Sequence, residues 1–185
     1  PVMLQEMRDN LVRNRLDNVA MLQAAWGQHV APPHDLILVA NVAPIFDNLL
    51  SFLTEAEPLA RHAMALVRNV GPGSEKFYLG ELYPLLLDRS YPEREDYLRT
   101  LALLHSLGIY ANLQIITYQF DQPFDSFANA VQFWKETMRL DRPEQERRLV
   151  AFLEQRLDRV GDRWIAPMRR RSAVLWWRVA SSGSS

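Results

Sequence analysis

The side chains that most often carry catalysis or hold metals are sparse and poorly spaced in this chain. The sequence contains four histidines and no cysteine, which excludes disulfides and thiolate metal sites. His29 and His34 flank a Pro-Pro pair, whereas His62 and His105 fall on separate predicted helices. No Gly-x-Ser-x-Gly, phosphate-loop or zinc-ligand spacing occurs. We therefore predict no metal site and assign no catalytic residue.

One run of charge has the chemistry to bind an anion. Arg169, Arg170 and Arg171 are consecutive, and such a run can attract a phosphate or an acidic partner. The alternative is a solvated entry to the strand that follows. We favour this alternative because the run is single and short.

Composition limits the class of protein. The chain has 185 residues, of which 48% are hydrophobic and 23% charged, with a formal net charge of -1. These values are typical of one globular domain and give no basic excess for nucleic acid. No apolar run reaches the roughly 18 residues of a membrane helix. Together with the lack of cysteine, they predict a cytoplasmic protein that binds neither nucleic acid nor membrane. We expect the tail, residues 181–185, to be disordered.

Short apolar runs mark the elements that must position any site. The predicted strands are Val19–Leu22, Leu36–Ala40, Ala63–Val67, Ala111–Phe120 and Ala173–Val179. Leu36–Ala40 is apolar at every position, which is typical of a central parallel strand covered on both faces. We therefore expect this strand to lie buried in the middle of the sheet.

Apolar residues at steps of three and four predict helices between these strands. They cover residues 2–15, 45–59, 97–107, 126–140 and 143–160. Gly108 is expected to cap one helix and Gly161 to end the last, which has Asp141 as a plausible N-cap. The alternation predicts an α/β three-layer sandwich with a mostly parallel sheet. Periodicity alone leaves open whether the last strand pairs antiparallel.

Several passages follow one another in an order that is known from one family. They are Pro1-Val2-Met3-Leu4 before a charged helix, Asn18–Trp26, His34–Val42, Ala63–Val67, Leu107-Gly108-Ile109 before Ala111–Phe120, and Ala173–Val179. Together they resemble the second helix and strands three to seven of the Rossmann-like (class I) S-adenosylmethionine-dependent methyltransferases. The resemblance spans residues 1–179 and implies an antiparallel last strand, strand seven. It also implies one methyltransferase-like domain over residues 1–180, in which the helical insertion 126–160 can act as a lid.

The resemblance implies contacts with the methionine part of the cofactor after strand four. Ala40, Asn41 and Val42 form that loop, which in the family also faces the methyl acceptor. Asn41 offers both a donor and an acceptor group. The alternative is that Asn41 only caps the following helix.

Contacts with the adenine of the cofactor are implied after strand three. Ala25 and Trp26 occupy that loop, and Met3 can pack on the face of the ring. The alternative for Met3 is ordinary core packing, and for Trp26 it is packing in the core or covering an edge.

Other segments are possible acceptor-binding positions. Asn69–Gly73 follows strand five, where glycines permit close approach of a substrate. Tyr78, Glu81 and Tyr83 can line an acceptor pocket. We favour the simpler alternatives, a connecting loop for the first and a surface helix start for the others.

The chain departs from the family pattern at its beginning. Its seven glycines form no G-x-G-x-x-G loop, and the sequence begins just after the position at which the family has its ribose-binding carboxylate. Truncation, cleavage and natural loss are all open explanations. We expect weak or absent cofactor binding, so this chain alone can be inactive. Without strand one, strand four becomes an exposed apolar edge of an incomplete Rossmann-like methyltransferase fold. We expect dimerisation, strand exchange or a rearranged sheet to cover this edge, and we favour a homodimer.

Three functions remain open from the sequence. The first is methyl transfer from S-adenosylmethionine to a small-molecule acceptor. The second is a non-catalytic methyltransferase-like module for interaction or dimerisation. The third is an unrelated α/β domain that binds another nucleotide.

Overall fold

A computed structural model of the chain describes residues 2–28, 32–40, 42, 45, 47–70, 77–92 and 97–179. The chain forms two compact units, residues 1–32 and residues 33–185. The predicted extent of one domain over residues 1–180 stays a prediction. The tail 181–185 lies outside the described residues.

The first unit contains one helix followed by irregular backbone. The helix α1 spans Val2–Arg13, slightly shorter than predicted. The side chain of Asn14 donates to the carbonyl of Asn10, and Arg15 has a positive φ of 54°. Both features mark the end of the helix, which the left-handed conformation of Arg15 cannot continue.

The predicted strand Val19–Leu22 is wrong. These residues are irregular and pair with no strand among the described residues. Val19 is 41% and Leu22 61% exposed. A short apolar run without a neighbouring strand gains neither ladder hydrogen bonds nor a core to pack on, so it does not form a strand.

Four strands of the second unit form one mixed sheet, in the order β1-β2-β7-β3. They are β1 (His34–Ala40), β2 (Ala60–Asn69), β3 (Asn112–Gln119) and β7 (Arg169–Arg178). β1 and β2 are parallel, and β7 is antiparallel to both β2 and β3. The mixed α/β character and the four predicted strands of this unit are thus present, and the last strand runs antiparallel. The three-layer arrangement stays a prediction.

β1 is an edge strand rather than the central strand that its composition predicts. Leu36 is 53% and Leu38 59% exposed, and Val39 is the one buried residue of the strand. Among the described strands, β1 pairs only with β2. The expected burial in the middle of the sheet is therefore wrong, whereas the expected exposed apolar edge is present. A strand at the edge of a sheet has a neighbouring strand on one side only, so its other side is open to solvent. The apolar run alone would place both sides in the core.

Helices and a second sheet occupy the connections. The helices are α2 (Leu49–Ala56, continued by a 3-10 turn at Glu57–Leu59), α3 (Leu79–Leu87), α4 (Tyr97–Ser106), α5 (Phe127–Met138) and α6 (Pro143–Arg156). The second sheet has three strands in the order β4-β6-β5, with β4 at Gln122–Phe124, β5 at Asp158–Val160 and β6 at Arg163–Ala166. The start of α3 agrees with the helix start that was favoured for Tyr78, Glu81 and Tyr83, whereas the small sheet was not predicted. His62, which was predicted on a helix, lies in β2.

The helix ends agree with the sequence in part. Gly108 has a φ of 76° just after α4, as expected for a left-handed cap. The N-cap of α6 is Arg142 rather than Asp141. Gly161 does not end α6, which stops at Arg156, but lies with a φ of 61° in the turn between β5 and β6. A glycine with positive φ suits both a helix end and a tight hairpin, so its position in the sequence could not separate the two.

Two hydrophobic clusters hold the second unit together. The sheet cluster joins α2 and α4 to one face of the large sheet, and its buried residues are Val39, Leu49, Phe52, Leu53, Ala56, Ala60, Met64, Leu66, Leu104, Ala173, Leu175 and Trp177. The helical cluster joins α3, α5, α6 and the small sheet around Trp134, which is completely buried. The predicted helices of the segment 126–160 thus form, while their role as a lid stays a prediction.

Candidate functional site

The carboxyl ends of β1, β2 and β3 lie at one edge of the large sheet. These strands end at Ala40, Asn69 and Gln119, and β7 begins at the same edge because it is antiparallel. In open α/β sheets, ligands bind in the crevice outside the carboxyl ends of the strands. The ends of three strands and the start of a fourth are therefore the best candidate for a site.

Two of the predicted cofactor residues lie at this edge. Ala40 is the last residue of β1 and is exposed, and Val42 is 41% exposed. Asn41, predicted between them, lies outside the described residues. The small apolar side chains of Ala40 and Val42 leave the end of β1 accessible and add no charge to it.

The other predicted cofactor residues belong to the first unit. Ala25 and Trp26 lie in a turn with Gly27, whose φ is 83°; the Gln28 amide donates to the Ala25 carbonyl at 3.1 Å. Trp26 is 45% exposed, which does not fit the alternative of a core residue. Met3 lies in α1, and its side chain is outside the described residues. The proposed adenine contacts therefore stay predictions.

A set of polar side chains lies together beside the end of β2. The sequence analysis did not connect these residues. Arg170 is only 6% exposed, and its Nη2 donates to Oδ1 of Asn69 at 2.8 Å. Ser172 is 1% exposed, and its hydroxyl lies 3.2 Å from the hydroxyl of Tyr118. The favoured interpretation of Arg169–Arg171 as a solvated strand entry is thus wrong for Arg170. Strand alternation was the available signal, since Arg170 and Ser172 must share one face.

Tyr78 belongs to the helical cluster. Its ring stacks on Trp134 with centroids 5.9 Å apart, and its hydroxyl donates to the carbonyl of Pro167 at 2.8 Å. Burial raises the pKa of Tyr78 to about 12, outweighing the opposite effect of the nearby Arg156 guanidinium. The Tyr78 hydroxyl therefore stays protonated at neutral pH and acts as a donor.

Glu81 and Tyr83 also make contacts within the protein. Glu81 pairs with Arg156, and the ring of Tyr83 meets that of Tyr91 edge to face at 4.9 Å. These contacts favour the structural alternative over the acceptor pocket that these residues could have lined.

Two open depressions occur elsewhere on the surface. Each has a volume of about 510 Å³. One lies along α6, and the other is lined by Tyr110, Asn112 and Trp176, at the end of β3 opposite to the candidate site. In a parallel arrangement of strands the amino ends rarely hold the ligand, so we place the site at the carboxyl ends.

Metal-ligand clusters and membrane-spanning helices are both absent from the described part of the chain. There, no group of three His, Cys, Asp or Glu side chains is arranged to hold a metal ion. No helix in the same residues combines the length and the apolar character that crossing a membrane requires.

Comparison with solved structures gives a distant similarity to a protein of another organism. The chain matches no protein-family profile and no curated protein sequence. A solved structure from Bacillus halodurans C-125, named a "putative methyltransferase", is similar at 18% identity with a TM-score of 0.46. The similarity covers 92% of this chain and 76% of that one.

Proposed function

We propose that the chain is part of an S-adenosylmethionine-dependent methyltransferase of the Rossmann-like class that acts on a small-molecule acceptor. The order β1-β2-β7-β3 with an antiparallel last strand supports the proposal. The sequence resemblance assigns these strands as four, five, seven and six and expects strand seven to be antiparallel. The apolar periodicity of the sequence does not determine which strands pair. The observed strand order is therefore support that is independent of the order of the motifs.

The end of β1 is the proposed position of the methionine part of the cofactor. Ala40 and Val42 are small and exposed there, so they fit a ligand that approaches the backbone. Asn41 is the proposed hydrogen-bonding residue between them. Met3, Ala25 and Trp26 are the proposed contacts to adenine. The 185 residues contain no glycine-rich G-x-G-x-x-G loop, so we expect this chain alone to bind the cofactor weakly.

When bound, S-adenosylmethionine supplies a methyl group activated on a sulfonium sulfur. The chain's own contribution is to hold the acceptor in line with that methyl group and to exclude water. Such positioning can supply much of the rate, and a dedicated base is often unnecessary. A cytoplasmic location remains part of the proposal.

Calorimetric titration with S-adenosylhomocysteine and S-adenosylmethionine tests the proposal. We expect measurable heat at ligand concentrations up to millimolar, and weaker binding in an Asn41→Ala variant. Asn48→Ala is the matched control, because Asn48 makes no side-chain cap to α2. Absence of heat with the unchanged chain at millimolar ligand would remove the cofactor from the proposal.

The edge position of β1 favours a second candidate function. A non-catalytic methyltransferase-like module could pair through the outer edge of β1, where Leu36 and Leu38 are exposed. Exposed edge strands readily pair with another chain. We propose a homodimer through this edge, which is compatible with either function.

A further inference from the structure

Arg170 is a buried cation at the end of the sheet where the candidate site lies. It lies in β7 opposite Tyr118 of β3, and Ser172, two residues on, lies opposite Asn69 of β2. Asn69 and Tyr118 lie at the carboxyl ends of β2 and β3, and Arg170 and Ser172 lie near the start of β7, so all four are at the candidate site. Arg170 is 6% exposed, although most arginines keep their charged group in water.

The contacts of Arg170 leave its charge uncompensated. Its Nη2 donates to the neutral amide of Asn69, and its guanidinium carbon lies 4.9 Å from the centre of the Phe120 ring. Its Nε is buried and has no hydrogen-bond partner among the described residues. Within those residues no carboxylate pairs with it. Asp121, just before β4, accepts instead from the Met168 amide and the Gln119 side chain.

A buried guanidinium without a counter-ion is unfavourable in the free protein, because a hydrogen bond to a neutral amide and a ring contact offset only part of the desolvation penalty. An oxyanion repays it well, since the planar guanidinium matches carboxylate and phosphate oxygens and its hydrogen bonds to them are strong. The hydroxyls of Ser172 and Tyr118 are donors on the same face of the sheet. Arg169 and Arg171, its neighbours in the chain, add positive charge.

We propose that Arg170, assisted by the Ser172 and Tyr118 hydroxyls, binds an oxyanion of a small-molecule ligand. The ligand carries a carboxylate or a phosphate. From the end of β1, this position is about 10 Å across the sheet and about 13 Å further along the strand direction. The anion site stands on its own geometry. Only its identification as the part that anchors the methyl acceptor rests on the proposed function.

Thermal unfolding at constant ionic strength tests the site. Sodium chloride is replaced stepwise by sodium phosphate in one series and by sodium acetate in another. We expect at least one oxyanion to raise the Tm of the unchanged chain and of Arg178→Met, the control at the exposed opposite end of the same strand. Arg170→Met should lose that rise, because the oxyanion Kd should increase about tenfold or more. Phosphate also stabilises proteins without a site, so the difference between the two variants is the readout.

Without added oxyanion, Arg170→Met should be at least as stable as the unchanged chain, because the substitution removes an uncompensated buried charge. Equal rises in Arg170→Met and Arg178→Met would overturn the proposal, as would the absence of any rise in the unchanged chain. The series that responds distinguishes a phosphate ligand from a carboxylate ligand.

A second measurement keeps the test decisive if Arg170→Met does not fold. In the 15N-labelled unchanged chain, the Nε–H signal that disappears in Arg170→Lys should shift as the oxyanion is added, and an unmoved signal contradicts the site. The cofactor titration separates the two proposals. Binding of S-adenosylhomocysteine without a response of Arg170 sinks the anion site alone. A response without cofactor binding supports the anion site and removes the methyl acceptor as its ligand.

Discussion

The two faces of the large sheet both carry apolar residues, but they differ in what they contribute. The inner face contributes Met64, Leu66, Ala173, Leu175 and Trp177, all buried in the sheet cluster. The outer face carries exposed Leu36, Leu38, Ile116 and Trp176, with buried Ser172 and Arg170 at one end. The inner face therefore accounts for stability. The outer face combines exposed apolar side chains with buried polar ones, which supports the proposed binding of a ligand there.

Leu66→Ala should have the largest effect, because it empties space on the inner face. Leu66 is completely buried at the centre of the sheet cluster. The free energy of unfolding should fall by about 2–5 kcal/mol, from lost burial and the cavity left behind. Urea unfolding measures it, with Leu38→Ala on the neighbouring strand as control. Similar losses in both variants would break the distinction between the faces.

Tyr118→Phe should have an intermediate effect, because it breaks a polar contact on the outer face. The variant leaves the buried hydroxyl of Ser172 without the Tyr118 hydroxyl at 3.2 Å. We expect a loss of about 1 kcal/mol in the free energy of unfolding. Tyr110→Phe is the control, since Tyr110 is 77% exposed. If the two variants are equally stable in urea, the hydroxyl pair does not organise this end of the sheet.

The sequence predicted the strands of this sheet but not which faces would be covered. Ala63–Val67 and Ala173–Val179 were found because each contains a short apolar run, which is typical of a strand covered on both faces. The same reasoning placed Leu36–Ala40 in the middle of the sheet. A run that is apolar throughout does not show how many neighbouring strands it has. Val19–Leu22 failed for the same reason, since pairing is a non-local property.

The site was harder to predict than the strands. Burial of Arg170 depends on partners far away in the chain, Asn69 and Phe120, and an arginine run alone resembles a solvated segment. The small sheet was missed because Gly161 ends a helix and turns a hairpin equally well. Residue alternation along β7 was the one local clue that Arg170 and Ser172 act together.

Leu38→Lys should barely change the stability of the fold, yet it should abolish the proposed dimer. Leu38 is 59% exposed, so the free energy of unfolding should change by no more than about 0.5 kcal/mol. A lysine on an edge strand opposes pairing with a second copy, because its charge would be buried in the new sheet. Sedimentation velocity should show a dimer for the unchanged chain and a monomer for the variant. Leu50→Lys, at a 52% exposed position of α2, should remain dimeric. If the unchanged chain is a monomer at all accessible concentrations, the exposed leucines of β1 do not mediate self-association, and the outer face must be explained by its ligand alone.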